Sequence, residues 1–176
     1  MFGAAMRVEL KGKEKFDADV KAWFLQAKVV AAEAALGMAK EAFESIISNS
    51  PQYSGDFVSG WGVGYGKVVT NFQSGRFPAH AWGEYNPLKK GTAEPMEAAR
   101  SAANWTTPKL GTTIYISNNA EHEGEEYAWA IENGSIQLRT ENAGAFGMVK
   151  NASNHLKQTY KTISSAQLVA LRGSKP

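Results

Sequence analysis

Residues 14–49, EKFDADVKAWFLQAKVVAAEAALGMAKEAFESIISN, decide the fold. Apolar side chains recur there at spacings of three and four, at Phe16, Val20, Trp23, Ala27, Val30, Ala34, Met38, Ala42 and Ile46, which predicts one helix with a single apolar stripe. Phe24, Ala31, Ala35, Phe43 and Ile47 widen that stripe, while Lys21, Lys28, Glu33, Lys40 and Glu44 occupy the remaining surface. At 1.5 Å per residue such a helix would span about 54 Å, longer than a compact domain of this size is wide, so part of it is expected to meet another subunit. Gly37 is read as a position of close packing against a neighbour rather than a hinge.

Downstream, Asn49, Ser50 and Pro51 end the helix, because proline disfavours helical geometry in the residue before it. Phe57–Val63 and Val68–Phe72 predict two strands joined through Gly64, Tyr65 and Gly66 as a hairpin. Residues 73–92 lack periodicity and read as a long loop with aromatic anchors Phe77, Trp82 and Tyr85. Thr92 caps a helix expected from Ala93 to Trp105, with Pro95 tolerated in its first turn. A strand over Gly111–Ser117, an acidic loop over Glu121–Glu126, an alternating segment Tyr127–Ile131 and a short strand Ile136–Arg139 come next. Met148, Ala152, Leu156, Tyr160 and Ile163 line one side of a last helix. The expected organisation is an N-terminal arm over 1–13, one α+β domain over 14–163 and a loose tail over 164–176. In that domain the long N-terminal and the C-terminal helices pack on a mostly antiparallel sheet, since no regular helix–strand alternation calls for a parallel one.

The balance of 19 Lys and Arg against 17 Asp and Glu lacks the basic excess of a dedicated nucleic-acid binder. Without cysteine the chain has neither disulfides nor thiolate chemistry. Arg7, Glu9, Lys11 and Lys13 interrupt the start before a secretory apolar run can form, and Lys28, Glu33 and Lys40 interrupt the alanine-rich stretch, so a soluble, non-exported, non-membrane protein is expected.

Catalytic patterns are sparse. His122 with Glu121, Glu123, Glu125 and Glu126 is the best metal candidate, but its spacing matches neither HExxH nor a calcium loop, and a solvated acidic loop is the preferred reading. The glycine-rich WGVGYGK at 61–67 lacks the spacing and following helix of a phosphate loop and reads as a turn. His80, His122 and His155 have no Ser or Asp partner in a triad pattern. No enzyme, cofactor or metal is expected. A rival reading makes the chain a small nucleic-acid-binding module that uses Arg76, Trp82, Lys89 and Lys90, since bases stack on aromatic and guanidinium planes.

Three stretches resemble the tail-component family of tailed phages, which holds tail-completion and neck proteins of lambda-like and related viruses. Ser50-Pro51-Gln52-Tyr53-Ser54-Gly55 followed by Phe57-Val58-Ser59-Gly60-Trp61 is similar to the family's serine-proline and serine-glycine turn leading into a strand. Ile114–Ala120 with Asn118, followed by Tyr127, Ala128, Glu132 and Gly134, is similar to its strand, asparagine turn, tyrosine-alanine and glutamate-x-glycine signature. Gly144-Ala145-Phe146 resembles the phenylalanine-led start of the closing helix. The chain departs from the pattern at Asp56 and Phe57, where the family often has arginine, and at Ala145, where proline is common. The resemblance implies a virion protein of the head–tail junction, assembled in the host cytoplasm as a homo-oligomeric ring, hexameric with a dodecamer as alternative. Its implied partners are connector or neck proteins, the tail tube and DNA passing through without sequence-specific binding. The candidate subunit and partner contacts, from apolarity and position, are Trp23, Phe24, Phe77, Trp82, Tyr85 and Leu168.

Overall fold

The computed structural model describes residues 12–50, 55–69, 71–77, 93–122, 125–126 and 147–173. The fold is α+β: a long N-terminal helix, a C-terminal helix and a small antiparallel sheet. Helix α1 runs without interruption over Lys13–Asn49, 37 residues, as the apolar spacing requires. An added Cβ at Gly37 would meet nothing within 4 Å among the described residues, which therefore do not supply the close packing expected there. The helix ends at Ser50, where the backbone turns extended and the side-chain hydroxyl donates to the Ile46 carbonyl at 2.8 Å.

Past the turn the structure departs from the expected strand over 57–63. Asp56–Ser59 forms one helical turn, α2, and the strand, β1, begins only at Gly62 and ends at Tyr65. Ser59 N donates to the Gly55 carbonyl at 2.9 Å and Gly60 N to the Phe57 carbonyl at 3.2 Å, and this closed turn buries Asp56, Phe57, Val58 and Ser59 together, where a strand would send alternate residues to opposite faces. Gly55 makes the turn possible. Its φ of 93° is left-handed, and an added Cβ would sit 2.6 Å from Pro95 Cγ.

The local hairpin with 68–72 is also not formed. Strand β1 pairs antiparallel with β2, Ile114–Ser117, in the register Gly62–Ser117, Val63–Ile116, Gly64–Tyr115 and Tyr65–Ile114. Residues 67–69 instead run beside β1 off the ladder, and the Val69 carbonyl accepts a 2.6 Å hydrogen bond from Ser117 Oγ. Gly64 serves this close approach, because a Cβ there would collide with the Lys67 carbonyl. The strand β2 is shorter than the expected Gly111–Ser117, since Thr112 N closes a turn onto the Lys109 carbonyl.

Helix α3 covers Ala93–Ala102, three residues short of the expected end, and Ala103 N shares its hydrogen bond between the Ala99 and Arg100 carbonyls. Within the acidic stretch, Glu121–His122 (β3) pairs with Glu125–Glu126 (β4), so it is a short hairpin rather than an irregular loop. The closing helix, α4, spans Met148–Gly173. It therefore takes in most of the expected tail: Ala166, Leu168, Ala170 and Leu171 favour helix, and no glycine or proline intervenes before Gly173. The expected strand over 136–139 lies outside the described residues.

The two long helices pack chiefly on each other, antiparallel, with Met148 beside Ser50 and His155 beside Glu41. The core sits at that end, where Phe43, Ile47, Val58 and Met148 are fully buried. Trp105 packs edge-on against Phe43 at 5.5 Å, and Arg100 grips Glu44 with Nε and Nη2 at 3.0 and 2.8 Å. That fork of hydrogen bonds pushes the Arg100 pKa up, so the guanidinium stays charged throughout the accessible range. With both side chains over a third exposed, solvent screening holds the pair to about 1 kcal/mol or less.

Gly55→Ala tests the turn. It is expected to lower stability by about 2 kcal/mol or more, through strain at positive φ and the collision with Pro95. Denaturant unfolding reads this, and an unchanged midpoint would contradict the described turn.

Candidate functional site

Surface chemistry concentrates at the far end of α1. At equal rise per residue α4, leaving Glu41 at His155, comes no further along α1 than the level of Trp23 at Gly173. The turns of α1 before Trp23 therefore extend past it, and Trp23 and Phe24 stand beside its last turn. Phe16 is 66% exposed, Val20 43%, Trp23 45% and Phe24 57%. These four lie within about 100° of one another around the helix, so they form one face rather than scattered apolar residues. Trp23 and Phe24 meet edge-on at 6.1 Å, and the Lys28 ammonium lies 5.9 Å from the Phe24 ring centroid. Leu25 and Val29, also exposed, lie on the opposite side. The sequence stripe is thus buried only in its C-terminal half: Ala42 and Ile46 are core, and Phe16 and Trp23 are not.

A second feature lies beside the core. A groove of about 610 Å³ opens between α1, β2 and α4, walled by Met38, Ala42, Ile46, Ile114, Ile116 and Leu156. Ser153 and Lys157 also line it. Such a volume and lining fall in the range of ligand and side-chain recesses. Sequence reading missed it, because its walls come from three segments far apart in the chain.

Of the other candidates, Phe77 is half-buried, packed where a Cβ on Gly55 would lie, with Arg76 stacked 5.6 Å from its ring centroid. The start of its loop is tied down by Asp56, whose carboxylate accepts from Gly75 N at 2.7 Å and Phe77 N at 2.8 Å. Asp56, a departure from the resembled pattern, thus has a holding role in this chain. Ser50 is fully buried, and its hydroxyl accepts the Trp61 indole N–H at 2.9 Å. Asn118 donates to the Phe57 carbonyl at 2.7 Å and accepts from Ala120 N at 2.9 Å, which binds the end of β2 to α2. Ser50, Gly55 and Asn118 therefore act inside the fold. Pro51, Trp82, Tyr85, Tyr127, Ala128, Glu132, Gly134 and Phe146 lie outside the described residues, as do His80, Lys89, Lys90 and Glu123. Only the backbone of Leu168, within α4, is described.

Among the described residues no three His, Asp or Glu side chains converge as metal ligands would, and no helix is long and apolar enough to cross a membrane. His155 Nε2 lies 3.3 Å from Glu41 Oε2 on the exposed rim between the long helices, where it joins them. Comparison with known proteins finds no matching family model, no matching curated protein and no matching solved structure.

Asp56→Ala is expected to free the backbone of Gly75 and Phe77 and to speed tryptic cleavage after Arg76 by about ten-fold or more, as two hydrogen bonds to a charged acceptor are lost. An unchanged rate of appearance of that fragment would rule out the tether.

Proposed function

We propose that the chain is a structural subunit of a tailed-phage neck or tail-completion ring, joining a head connector to a tail around the DNA channel. The observation that carries this reading is the uncovered apolar face of α1. A monomer gains nothing from holding Phe16, Trp23 and Phe24 in water on a helix that has outgrown its own core, whereas a subunit buries them against a neighbour. The similarity of the 50–61, 114–134 and 144–146 stretches to the tail-component family supplies the biological setting, and it is the only support for phage rather than for assembly in general. Six subunits are favoured and twelve the alternative. Partners are connector or neck proteins and the tail tube. The ring lets DNA slide through and catalyses nothing.

The described polar clusters fit this role. Asp56, Ser50 and Asn118 hold the loops and strands of the domain rather than converging on a reaction centre. The rival module, a nucleic-acid binder, would grip phosphates and show a steep loss of affinity as salt rises.

Light scattering on the purified protein is expected to give a mass near six times the 19.1 kDa of one chain, with open-centred rings in electron images. Trp23→Ala is expected to weaken that assembly by roughly 30-fold, the effect of removing one interface anchor, with little change in the unfolding midpoint. A strict monomer at high concentration, together with duplex DNA binding that persists at moderate salt, would contradict the proposal.

A further inference from the structure

Phe16, Val20 and Phe24 follow one another at four-residue steps, about 6 Å apart along α1, and stand 66%, 43% and 57% exposed. With Trp23 they offer on the order of 400 Å² of apolar surface. That is half of the ~800 Å² per partner typical of a stable protein interface, but within what a few apolar side chains of one extended segment cover. Immediately before α1 the sequence places Phe2, Ala4, Met6, Val8 and Leu10 in strict alternation, with Arg7, Glu9 and Lys11 as the intervening polar residues. Alternate residues of an extended chain advance about 6.6–6.8 Å, close to the helix step. Between the two lies Gly12, the N-cap of α1, left-handed at φ 90°, a turn conformation that glycine adopts without strain. We infer that residues 6–10 fold back beside the first turns of α1, with Leu10 against Phe16, Val8 against Val20 and Met6 against Phe24, and cover this face in the free subunit until a neighbour takes their place.

Reach singles out this segment. Met148 stands beside Ser50, 34 residues or about 51 Å along α1 from Phe16. Residues 127–146 leave from Glu126, which pairs with Glu121 close after the core-bound Asn118, and return at Gly147 next to Met148. A round trip to Phe16 is about 100 Å, whereas twenty residues span at most about 70 Å. Residues 78–92 leave from Phe77 and return at Ala93, at the place where Gly55 lies against both Phe77 and Pro95, and fifteen residues reach less far still. The other internal stretches outside the described residues hold four residues or fewer. Ser174, Lys175 and Pro176 follow Gly173 at the level of Trp23 and carry no large apolar side chain. Residues 1–11, by contrast, join α1 one residue before its first turn, and such a tether gives an effective concentration in the millimolar range, ahead of any free partner.

Covering and assembly then compete for the same four side chains. A closed arm lowers the fraction of subunits competent to join, and the apparent Kd of assembly rises in proportion. The displacement of the arm rests on the assembly reading, whereas the cover itself is tested apart from it.

The chain has no cysteine, so thiol pairs can be placed at will. In the full chain, kept dilute, Val8→Cys with Val20→Cys puts one thiol on the arm and one on the face. Val8→Cys with Ala22→Cys puts the second thiol at nearly the same height on the opposite side of the helix, and Val20 and Ala22 are both exposed. With a short bis-maleimide, the 8–20 pair is expected to close within the monomer about ten-fold faster than the 8–22 pair, because a seated arm meets one side of α1 only. Equal rates would overturn the cover, since a free arm reaches both sides. Val8→Asp, in a chain otherwise unchanged, is expected to release the arm and lower the apparent Kd of assembly by about ten-fold in light scattering. Weaker assembly of Val8→Asp would overturn the competition and make the arm part of the neighbour's contact. A selective 8–20 link in a chain that stays monomeric with and without Val8→Asp would uphold the cover and overturn both its displacement and the ring reading.

Discussion

The Ser50 hydroxyl accepts the Trp61 indole proton at 2.9 Å, donates to the Ile46 carbonyl at 2.8 Å and lies 3.2 Å from the Met148 sulfur. Three parts of the chain meet at this one buried oxygen: the last turn of α1, the approach to β1 and the first residue of α4. Its bond to Ile46 occupies a carbonyl that the ending helix would otherwise leave open, and its acceptance from Trp61 satisfies an indole N–H in a residue only 4% exposed. A buried donor left without such a partner costs about 1–3 kcal/mol, a substantial part of the stability of a domain this size. Around this point Phe43, Ile47, Val58 and Met148 close over one another, and the strand pair, α2 and α3 are placed relative to it.

That core lies toward the C-terminal end of α1, and α4 accompanies the helix only to about the level of Trp23. The first turns of α1 carry the same apolar spacing on, and there Phe16, Trp23 and Phe24 stay 66%, 45% and 57% exposed. A globular monomer would have ended the helix or changed the stripe to polar residues there. On the proposed reading, aromatic residues held on a regular helix form a contact surface whose geometry is fixed before binding, which would reduce the ordering entropy lost on assembly.

The helices were legible in the sequence because a period of three to four is a local property. Phe16 through Ile46 announced α1, Asn49-Ser50-Pro51 announced its end, and Met148, Ala152 and Leu156 announced the buried side of α4's first turns. The sheet was not legible. WGVGYGK suggests a tight hairpin, yet Gly62 and Gly64 are small so that residues 67–69 can lie against β1, and the true partner is Ile114–Ser117, some fifty residues on. Pairing at that distance depends on which apolar faces meet, not on the turn between them. The site divided in the same way. Trp23 and Phe24, read from spacing as part of the apolar stripe, are exposed, whereas Phe77, read as an aromatic anchor of a long loop and a candidate subunit contact, is half-buried against its own chain, where Asp56 holds its backbone. No local signal could reveal the groove, whose walls are assembled only by folding.

The central claim is that assembly runs through the free end of α1, and amide hydrogen exchange of the wild-type chain, followed from dilute to concentrated solution, tests it most directly. The account predicts that added protection on concentration falls on Lys13–Val29, with α3 unchanged. Protection gained over α3 instead, with the first turns of α1 exchanging at the same rate at every concentration, would contradict it.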